Sequence, residues 1–370
     1  MTSHAYAPVA SSMAHHSTRT NPIHQKGPSM TSIAFYHCID EERPFAEQWA
    51  AEHDVHVECF PFELHEDTLH TVEGFDGISY KQRSAPSDDP DFYRRLSAYG
   101  IRQIAIRSAG YDTIDLKTAA ENGIRVTNVP SYSPSAVAEL TLTHIMRLIR
   151  HVPQFDERAT NHDFSVKGLI SREISKLTVG IIGVGRIGST VARIFHALGA
   201  QVLGNDIAPN HELDGILTWV SKDELLARAD VVTMHTYLDA STRHLMDASR
   251  FAQMKPTAYF VNNSRGGVVD TPALIDALDN HVIAGAAIDV LEGEATLFGH
   301  TLPADQPTGH PYYDALNAMP NVVITPHIAF FTDVAVKNMV CQSLDDALAI
   351  LNGGTSPHEI APYDNLAHTR

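Results

Sequence analysis

The segment Leu177–Gly188 (LTVGIIGVGRIG) constrains the fold more than any other part of the chain. A short apolar run ends in a turn holding Gly183, Gly185 and Gly188, and an amphipathic helix follows. Val191, Ile194, Phe195 and Leu198 share one face of that helix at the 3.6-residue period. Each glycine has a separate physical job. Gly183 permits a tight strand-to-helix turn, Gly185 lets a pyrophosphate approach the backbone, and Gly188 lets helix and strand pack closely. Free N–H groups and the positive end of the helix dipole then hold the phosphates. A second strand, Ala200–Asp206, follows and ends in an acid. Asp206 lies about 20 residues beyond the glycines, where a carboxylate can bond the adenosine ribose hydroxyls. It would repel a 2′-phosphate, so NAD is expected rather than NADP.

At 370 residues the chain exceeds the size at which a single core usually keeps growing, so two domains are expected. A formal net charge of -17 argues against nucleic acid or an anionic membrane as the main partner. An anionic small molecule stays open, because a site can be locally positive. No apolar run is long enough to span a bilayer. Cys38, Cys59 and Cys341 are widely separated and follow no disulfide or zinc spacing, so a cytoplasmic location is expected and no metal is required.

Residues 1–29 are polar and lack the apolar core of a secretory signal, and are read as a disordered leader. Met30 then makes a sensible start, because strand-like Ser32–Cys38 follows at once. Strands are expected at Val55–Phe60, Asp76–Tyr80, Arg102–Arg107 and Arg125–Val129. Helices are expected between them at Phe45–His53, Asp91–Tyr99 and Leu116–Asn122. This alternation predicts a parallel sheet covered by helices. Next comes an apolar helix, Pro134–Arg150, with Ser133 as its cap and Pro134 at its first position. It is long and apolar enough both to join domains and to form a dimer interface. Beyond the glycine turn, strands are expected at Ala229–His235, Ala258–Asn263, Ala284–Val290 and Asn321–Thr325. Helices are expected near Ser249–Met254, at Thr271–Leu278 and at Val334–Leu351, the last crossing back to the first domain. Glu294–Asn317, rich in Pro, Gly, Asp and His, reads as a long surface loop. The whole is therefore α/β, with two Rossmann-like or flavodoxin-like parallel-sheet domains separated by a cleft.

In such a sheet, ligands bind beyond the carboxyl ends of the strands, which is where Arg265, Asp289 and His327 fall. Arginine has a planar fork that grips a carboxylate through two bonds and stays charged. Histidine exchanges a proton near neutral pH. A carboxylate beside it fixes its tautomer and favours the imidazolium form; Glu294 and Glu292 both compete for that place. Cofactor, anion clamp and acid/base pair are what hydride exchange with a 2-oxo acid requires.

These segments resemble the D-isomer-specific 2-hydroxyacid dehydrogenase family, and within it the fermentative D-lactate dehydrogenases. The likeness covers nearly all the chain after the leader. It is carried by Arg107–Asp115, Asn128–Pro134 with Ala138 and Glu139, Asn263–Gly266, Asp289–Glu294 and Thr325–His327, in that order. The resemblance implies that Arg265 binds the substrate carboxylate, that His327 donates the proton in reduction, and that Glu294 pairs with it. It further implies that backbone N–H groups of Ala109 and Gly110 hold the carboxylate, and that Tyr132, Phe330 and Tyr80 line the side-chain pocket. Arg186 and Ile187 would lie against the pyrophosphate. His235, Thr236, Tyr237, Thr242, Asn263 and Ser264 would also meet the cofactor, and Asp289 its nicotinamide carboxamide. The domains implied are a substrate domain of residues 30–131 and 329–370 and an NAD-binding domain of residues 132–328, assembled as a homodimer. Three positions depart from the family pattern: Tyr237 and Gly267 each replace a common Pro, and Phe331 replaces a Tyr.

The activity expected is NADH-dependent reduction of pyruvate to D-lactate. Two alternatives stand beside it: reduction of bulkier 2-oxo acids, of the 2-hydroxyisocaproate or phenyllactate type, and a non-catalytic NAD-sensing corepressor.

Overall fold

A computed structural model of the chain describes residues 30–81, 84–89, 91–303 and 305–362. The expected leader, 1–29, lies outside the described residues. Two parallel sheets organise the rest. The first has the order β2-β1-β3-β4-β5. Its strands are β1 (Ser32–Phe35), β2 (His56–Cys59), β3 (Gly77–Tyr80), β4 (Gln103–Ile106) and β5 (Arg125–Thr127). The second has seven strands: β6 (Thr178–Ile182), β7 (Gln201–Asn205), β8 (Thr218–Trp219), β9 (Val231–Met234), β10 (Tyr259–Asn262), β11 (Gly285–Ile288) and β12 (Val322–Ile324). Their order is β12-β11-β10-β9-β6-β7-β8, so the winding reverses between β6 and β9. A crevice opens at the carboxyl ends of strands at such a reversal.

Local chemistry starts the main helices where the sequence says it should. Helix α4 (Pro134–Ile149) is capped by the Ser133 hydroxyl, which accepts from the Ala136 N–H, and Pro134 opens it. It buries Val137, Ala138, His144, Ile145 and Leu148, and packs on α6 (Arg186–Ala197), the helix after the glycine turn, and on β10, β11 and β12. The last helix, α11 (Asp333–Leu351), returns to the first sheet and packs on β3, β4 and β5. Its Val340, Leu344 and Ala347 close a core with Ile33, Phe35 and Ala105.

Two readings of the sequence need correction. Glu294–Asn317 is not simply a surface loop. Pro311–Asn317 forms a helix capped by the His310 ring, which accepts from Tyr313, and Leu297, Phe298 and Leu316 are buried. A two-turn helix held by its cap carries too little periodicity to stand out in a Pro- and Gly-rich stretch. A helix at Val152–Thr160 was also not expected, because none of its residues is buried and so no apolar stripe marks it.

Under the carboxyl end of the first sheet the Arg107 guanidinium is fully buried. It donates to the carbonyl oxygens of Tyr36 (2.7 Å) and His37 (3.2 Å) and stacks 3.6 Å from the centre of the Phe35 ring. The buried Glu42 carboxylate lies 3.4 Å from Arg107 and 2.8 Å from the Lys81 ammonium. Burial raises the Glu42 pKa, but the two cations and their hydrogen bonds outweigh it and hold the carboxyl below its usual range. Unfolded, Glu42 protonates near about 4.3; folded, it stays ionised to lower pH. Its stabilisation is therefore complete above the unfolded value and is lost as pH falls through the folded one. Removing one partner of such a buried group costs about 3–5 kcal/mol. Glu42→Gln is expected to unfold more easily by that amount at pH 7, and to lose less stability than wild type between about pH 5 and 3 in urea titrations. Parallel pH dependences would contradict a charged Glu42 in the fold.

Candidate functional site

One cleft gathers residues from the carboxyl ends of both sheets. On the second sheet the glycine turn follows β6. Gly183 has φ +88°, and a Cβ there would stand 2.6 Å from the His235 carbonyl oxygen. At Gly188 a Cβ would meet the Gly183 oxygen at 2.1 Å, so helix α6 can press on the turn only without a side chain. Gly185 faces open space and caps α6, with Arg186 and Ile187 next to it on the cleft wall. Asp206 sits just past β7. One of its oxygens accepts the Val184 N–H at 2.7 Å and the other the Ala208 N–H at 2.9 Å, so it also fixes the shape of the glycine turn.

Beyond β9, His235, Thr236 and Tyr237 line the cleft. Burial lowers the His235 pKa to about 3, leaving a neutral ring. Its Nε2 bonds the Thr233 hydroxyl at 3.0 Å, while its Nδ1 and the Thr236 hydroxyl are buried without partners. Two orphaned polar atoms beside an open glycine turn fit a polar ligand in this half of the cleft. Thr242, by contrast, is not on the cleft wall. Its hydroxyl accepts from Asp239 N–H and donates to the Tyr237 carbonyl, closing its own turn.

Arg265 follows β10. Its Nη1 donates to the Ser264 carbonyl at 2.8 Å, and its Nε lies 3.4 Å from Asp112 on the loop after β4. Asn262 accepts from both the N–H and hydroxyl of Ser264 and donates to the Arg265 carbonyl at 2.8 Å, which sets this turn. Gly110 touches the guanidinium: a Cβ on it would stand 1.7 Å from Nη2. The loop before it is shaped by Asn128, which donates to the Ala109 carbonyl at 2.8 Å, and by Ser108, which donates to the Gly110 carbonyl at 2.6 Å.

His327 follows β12 and has φ +56°, a left-handed conformation costing about 1–3 kcal/mol in a residue other than glycine. The fully buried Asp289, at the end of β11, holds the strained turn. It accepts from the Thr325 hydroxyl (2.5 Å), the Ile328 N–H (2.9 Å) and the Ala329 N–H (2.8 Å). Burial pushes the Asp289 carboxyl up, against the pull of these bonds. Glu294 reaches the same place through the left-handed Gly293. Its Oε1 pairs with His327 Nδ1 at 2.5 Å, and its Oε2 accepts the Leu291 N–H at 2.7 Å. His327 therefore presents Nε2 to the cleft. Glu292, the competing acid, bonds His244 at 2.9 Å instead.

Tyr132 and Phe330 line the cleft as expected, and burial raises the Tyr132 phenol pKa. Tyr80 does not. Side chains two apart on a strand share a face, and Tyr80 lies with Ile78 in the core of the first sheet. The cleft position passes to Lys81, whose ammonium lies 5.1 Å from the centre of the Phe330 ring. The sequence reading missed Lys81 by one residue of strand register. It also missed Asp112, which a charge inside the Gly110 loop could have flagged. A second cavity lies beyond Phe330, lined by Leu297, Phe298, Leu302, Tyr313 and Phe331, and shares Lys81 and His327 with the cleft.

Residues 142–329 match the family model described as D-isomer specific 2-hydroxyacid dehydrogenase, NAD binding domain. A D-2-hydroxyacid dehydrogenase (NAD(+)) of Clostridioides difficile is 39% identical over 331 residues, 89% of this chain and 99% of that protein. A solved D-lactate dehydrogenase from Sporolactobacillus sp. is 50% identical, with a TM-score of 0.76, over 89% of this chain and 99% of that one. The NAD-complexed form of a D-isomer specific 2-hydroxyacid dehydrogenase from Lactobacillus delbrueckii ssp. bulgaricus is 42% identical, with a TM-score of 0.78, over 90% and 100% of the two chains.

Proposed function

The chain belongs to the D-isomer specific 2-hydroxyacid dehydrogenase family, and we propose that it reduces pyruvate to D-lactate with NADH. The observation that carries this reading is the His327–Glu294 pair at 2.5 Å in the same cleft as Arg265 and the glycine turn. The dinucleotide would be held by Gly183, Gly185, Arg186, Ile187 and Gly188, with Asp206 toward its adenosine ribose and His235, Thr236, Tyr237, Asn263 and Ser264 toward its other half. When bound there, NADH supplies the hydride that forms the new C–H bond at C2 of the oxo acid.

The protein's own groups do the rest. Arg265 grips the substrate carboxylate, helped by the N–H groups of Ala109 and Gly110, and draws charge from the keto group. His327 holds a proton on Nε2 and passes it to the keto oxygen as that oxygen gains negative charge. Glu294 accepts the hydrogen bond from the His327 Nδ1–H, which fixes the orientation of the ring, and balances the imidazolium. Tyr132, Phe330 and Lys81 enclose the substrate side chain. Asp289 acts by holding the turn on which His327 sits. A second reading, reduction of bulkier 2-oxo acids, is favoured by the apolar cavity beyond Phe330.

The division of labour proposed is a substrate part, 30–131 and 329–370, and a nucleotide part, 132–328. The protein is proposed to be a homodimer. The helix at Val152–Thr160 has no fully buried residue, and Phe164, Val166 and Ile170 beyond it are 80%, 76% and 91% exposed, an apolar arm suited to a second copy. Its three cysteines are free thiols, in keeping with the reducing cytoplasm. No helix among the described residues is long and apolar enough to cross a membrane.

Light scattering should give the mass of two chains for wild type and of one for the Phe164→Ser/Ile170→Ser variant; a monomeric wild type would contradict the arm's role. Arg265→Ala is expected to lose about 2–5 kcal/mol of transition-state binding, on the order of 10²-fold or more in kcat/KM for pyruvate. Near-native activity would sink the assignment. Glu294→Gln is expected to slow pyruvate reduction, because the imidazolium loses its counter-charge and the ring its fixed orientation. A kcat equal to wild type would argue against the pairing.

A further inference from the structure

His144 is fully buried on α4, does not itself line the cleft, and has no part in the mechanism above. It nevertheless lies between the two turns that carry the reacting groups. Its Nδ1 is 3.1 Å from the side-chain amide of Asn263, two residues before Arg265. Its Nε2 is 3.1 Å from the Thr325 hydroxyl, two residues before His327.

The directions of these bonds follow from Asp289. Its carboxylate receives two backbone N–H groups as well as the Thr325 hydroxyl, so Thr325 spends its one proton there. The Thr325 oxygen can then only accept from His144, which must carry its proton on Nε2. Nδ1 is left as an acceptor and faces the Asn263 amide nitrogen. With that orientation the Asn263 nitrogen also donates to the Asn262 carbonyl at 3.1 Å. Its carbonyl oxygen faces the Thr141 N–H and hydroxyl at 3.3 and 3.0 Å. Every group in the chain from Asn263 to Asp289 is satisfied by one neutral tautomer. Burial lowers the His144 pKa to about 4, in keeping with a ring that both donates and accepts near neutral pH.

We propose that His144 is a positioning residue that ties the Arg265 turn to the His327 turn. The reason such a tie matters is geometric. His327 occupies a strained left-handed conformation, and a strained residue persists only where its surroundings over-determine it. Asp289 supplies that restraint from β11, and His144 fixes the Thr325 rotamer through which Asp289 takes one of its three bonds. The same ring orients Asn263, and so the start of the turn that aims Arg265. The anion clamp and the proton donor are thereby referred to one rigid helix rather than to two separate loops.

The assignment rests on the reading of Arg265 and His327 as the working pair, and the test separates the two. The full-length His144→Leu and His144→Gln variants are compared with wild type for kcat and KM with pyruvate and for NADH affinity by fluorescence titration. Glutamine carries a donor and an acceptor on one end, so it can serve Thr325 and Asn263 together; leucine can serve neither. His144→Leu is expected to lose on the order of 10–100-fold in kcat per NADH site, the scale of a displaced catalytic group. Its NADH affinity should change far less than its kcat, since Asp206 and the glycine turn are untouched, and His144→Gln should recover most of the rate. Should His144→Leu fail to fold, Thr325→Val breaks the same link and is expected to show the same kcat loss. Adding His144→Gln to Thr325→Val should then cost nothing further, because the link is already broken. A folded His144→Leu with native kcat, a glutamine variant as slow as leucine, or additive losses in the double variant would overturn the proposal. An inactive wild type would remove the function itself, and this assignment with it.

Discussion

A single buried carboxylate, Asp289, sets the geometry on which the site depends. It is delivered by β11, whose last residue, Ile288, pairs with Ile324 at the end of β12. Because the two strands are parallel neighbours in register, their carboxyl ends emerge side by side. Asp289 can then take up the Thr325 hydroxyl and the N–H groups of Ile328 and Ala329. That grip holds His327 in a left-handed conformation it would not choose alone. Five residues along from Asp289, the chain turns through Gly293 and brings Glu294 to the other side of the same histidine. Two acids from one short segment thus serve one histidine, Asp289 through Thr325, Ile328 and Ala329 on either side of it and Glu294 through its Nδ1.

The remaining walls follow from the same rule of parallel strands. Both sheets point their carboxyl ends into the cleft, so the glycine turn after β6, the arginine turn after β10 and the loop after β4 meet without any of them being long. Close approach then depends on missing side chains. Gly110 makes room for the Arg265 guanidinium, and Gly188 lets α6 lie on the glycine turn. Gly266 serves similarly, since a Cβ there would stand 2.2 Å from the backbone carbon of Leu291.

Much of this was legible in the amino-acid sequence, and the exceptions have a common cause. The strand and helix alternation, the glycine turn and the strand-end positions of Arg265, Asp289 and His327 all rest on local patterns of type and spacing. Tyr80 was misplaced because assigning it to the cleft requires strand register, and a one-residue change of register turns a side chain to the opposite face. Lys81 takes the place. Thr242, which the resemblance puts among the cofactor contacts, uses its hydroxyl to bridge Asp239 and Tyr237 in its own turn. The helix after His310 depends on a cap and three buried residues around it rather than on a stripe. His144 could not be singled out from the sequence at all. A histidine on an apolar helix face is ordinary, and only the approach of Asn263 and Thr325, 119 and 181 residues away, gives it a role.

Everything in the cleft converges on hydride transfer from NADH to one face of a 2-oxo acid. The most direct measurement follows NADH absorbance with pyruvate, phenylpyruvate and 2-oxoisocaproate, and determines the configuration of each product. Pyruvate-dependent NADH oxidation with D-lactate as the product is expected. Faster turnover of a larger acid to its D-isomer would keep the mechanism and move the substrate to the apolar cavity beyond Phe330. An L-product, or no NADH oxidation with any of the three acids, would contradict it.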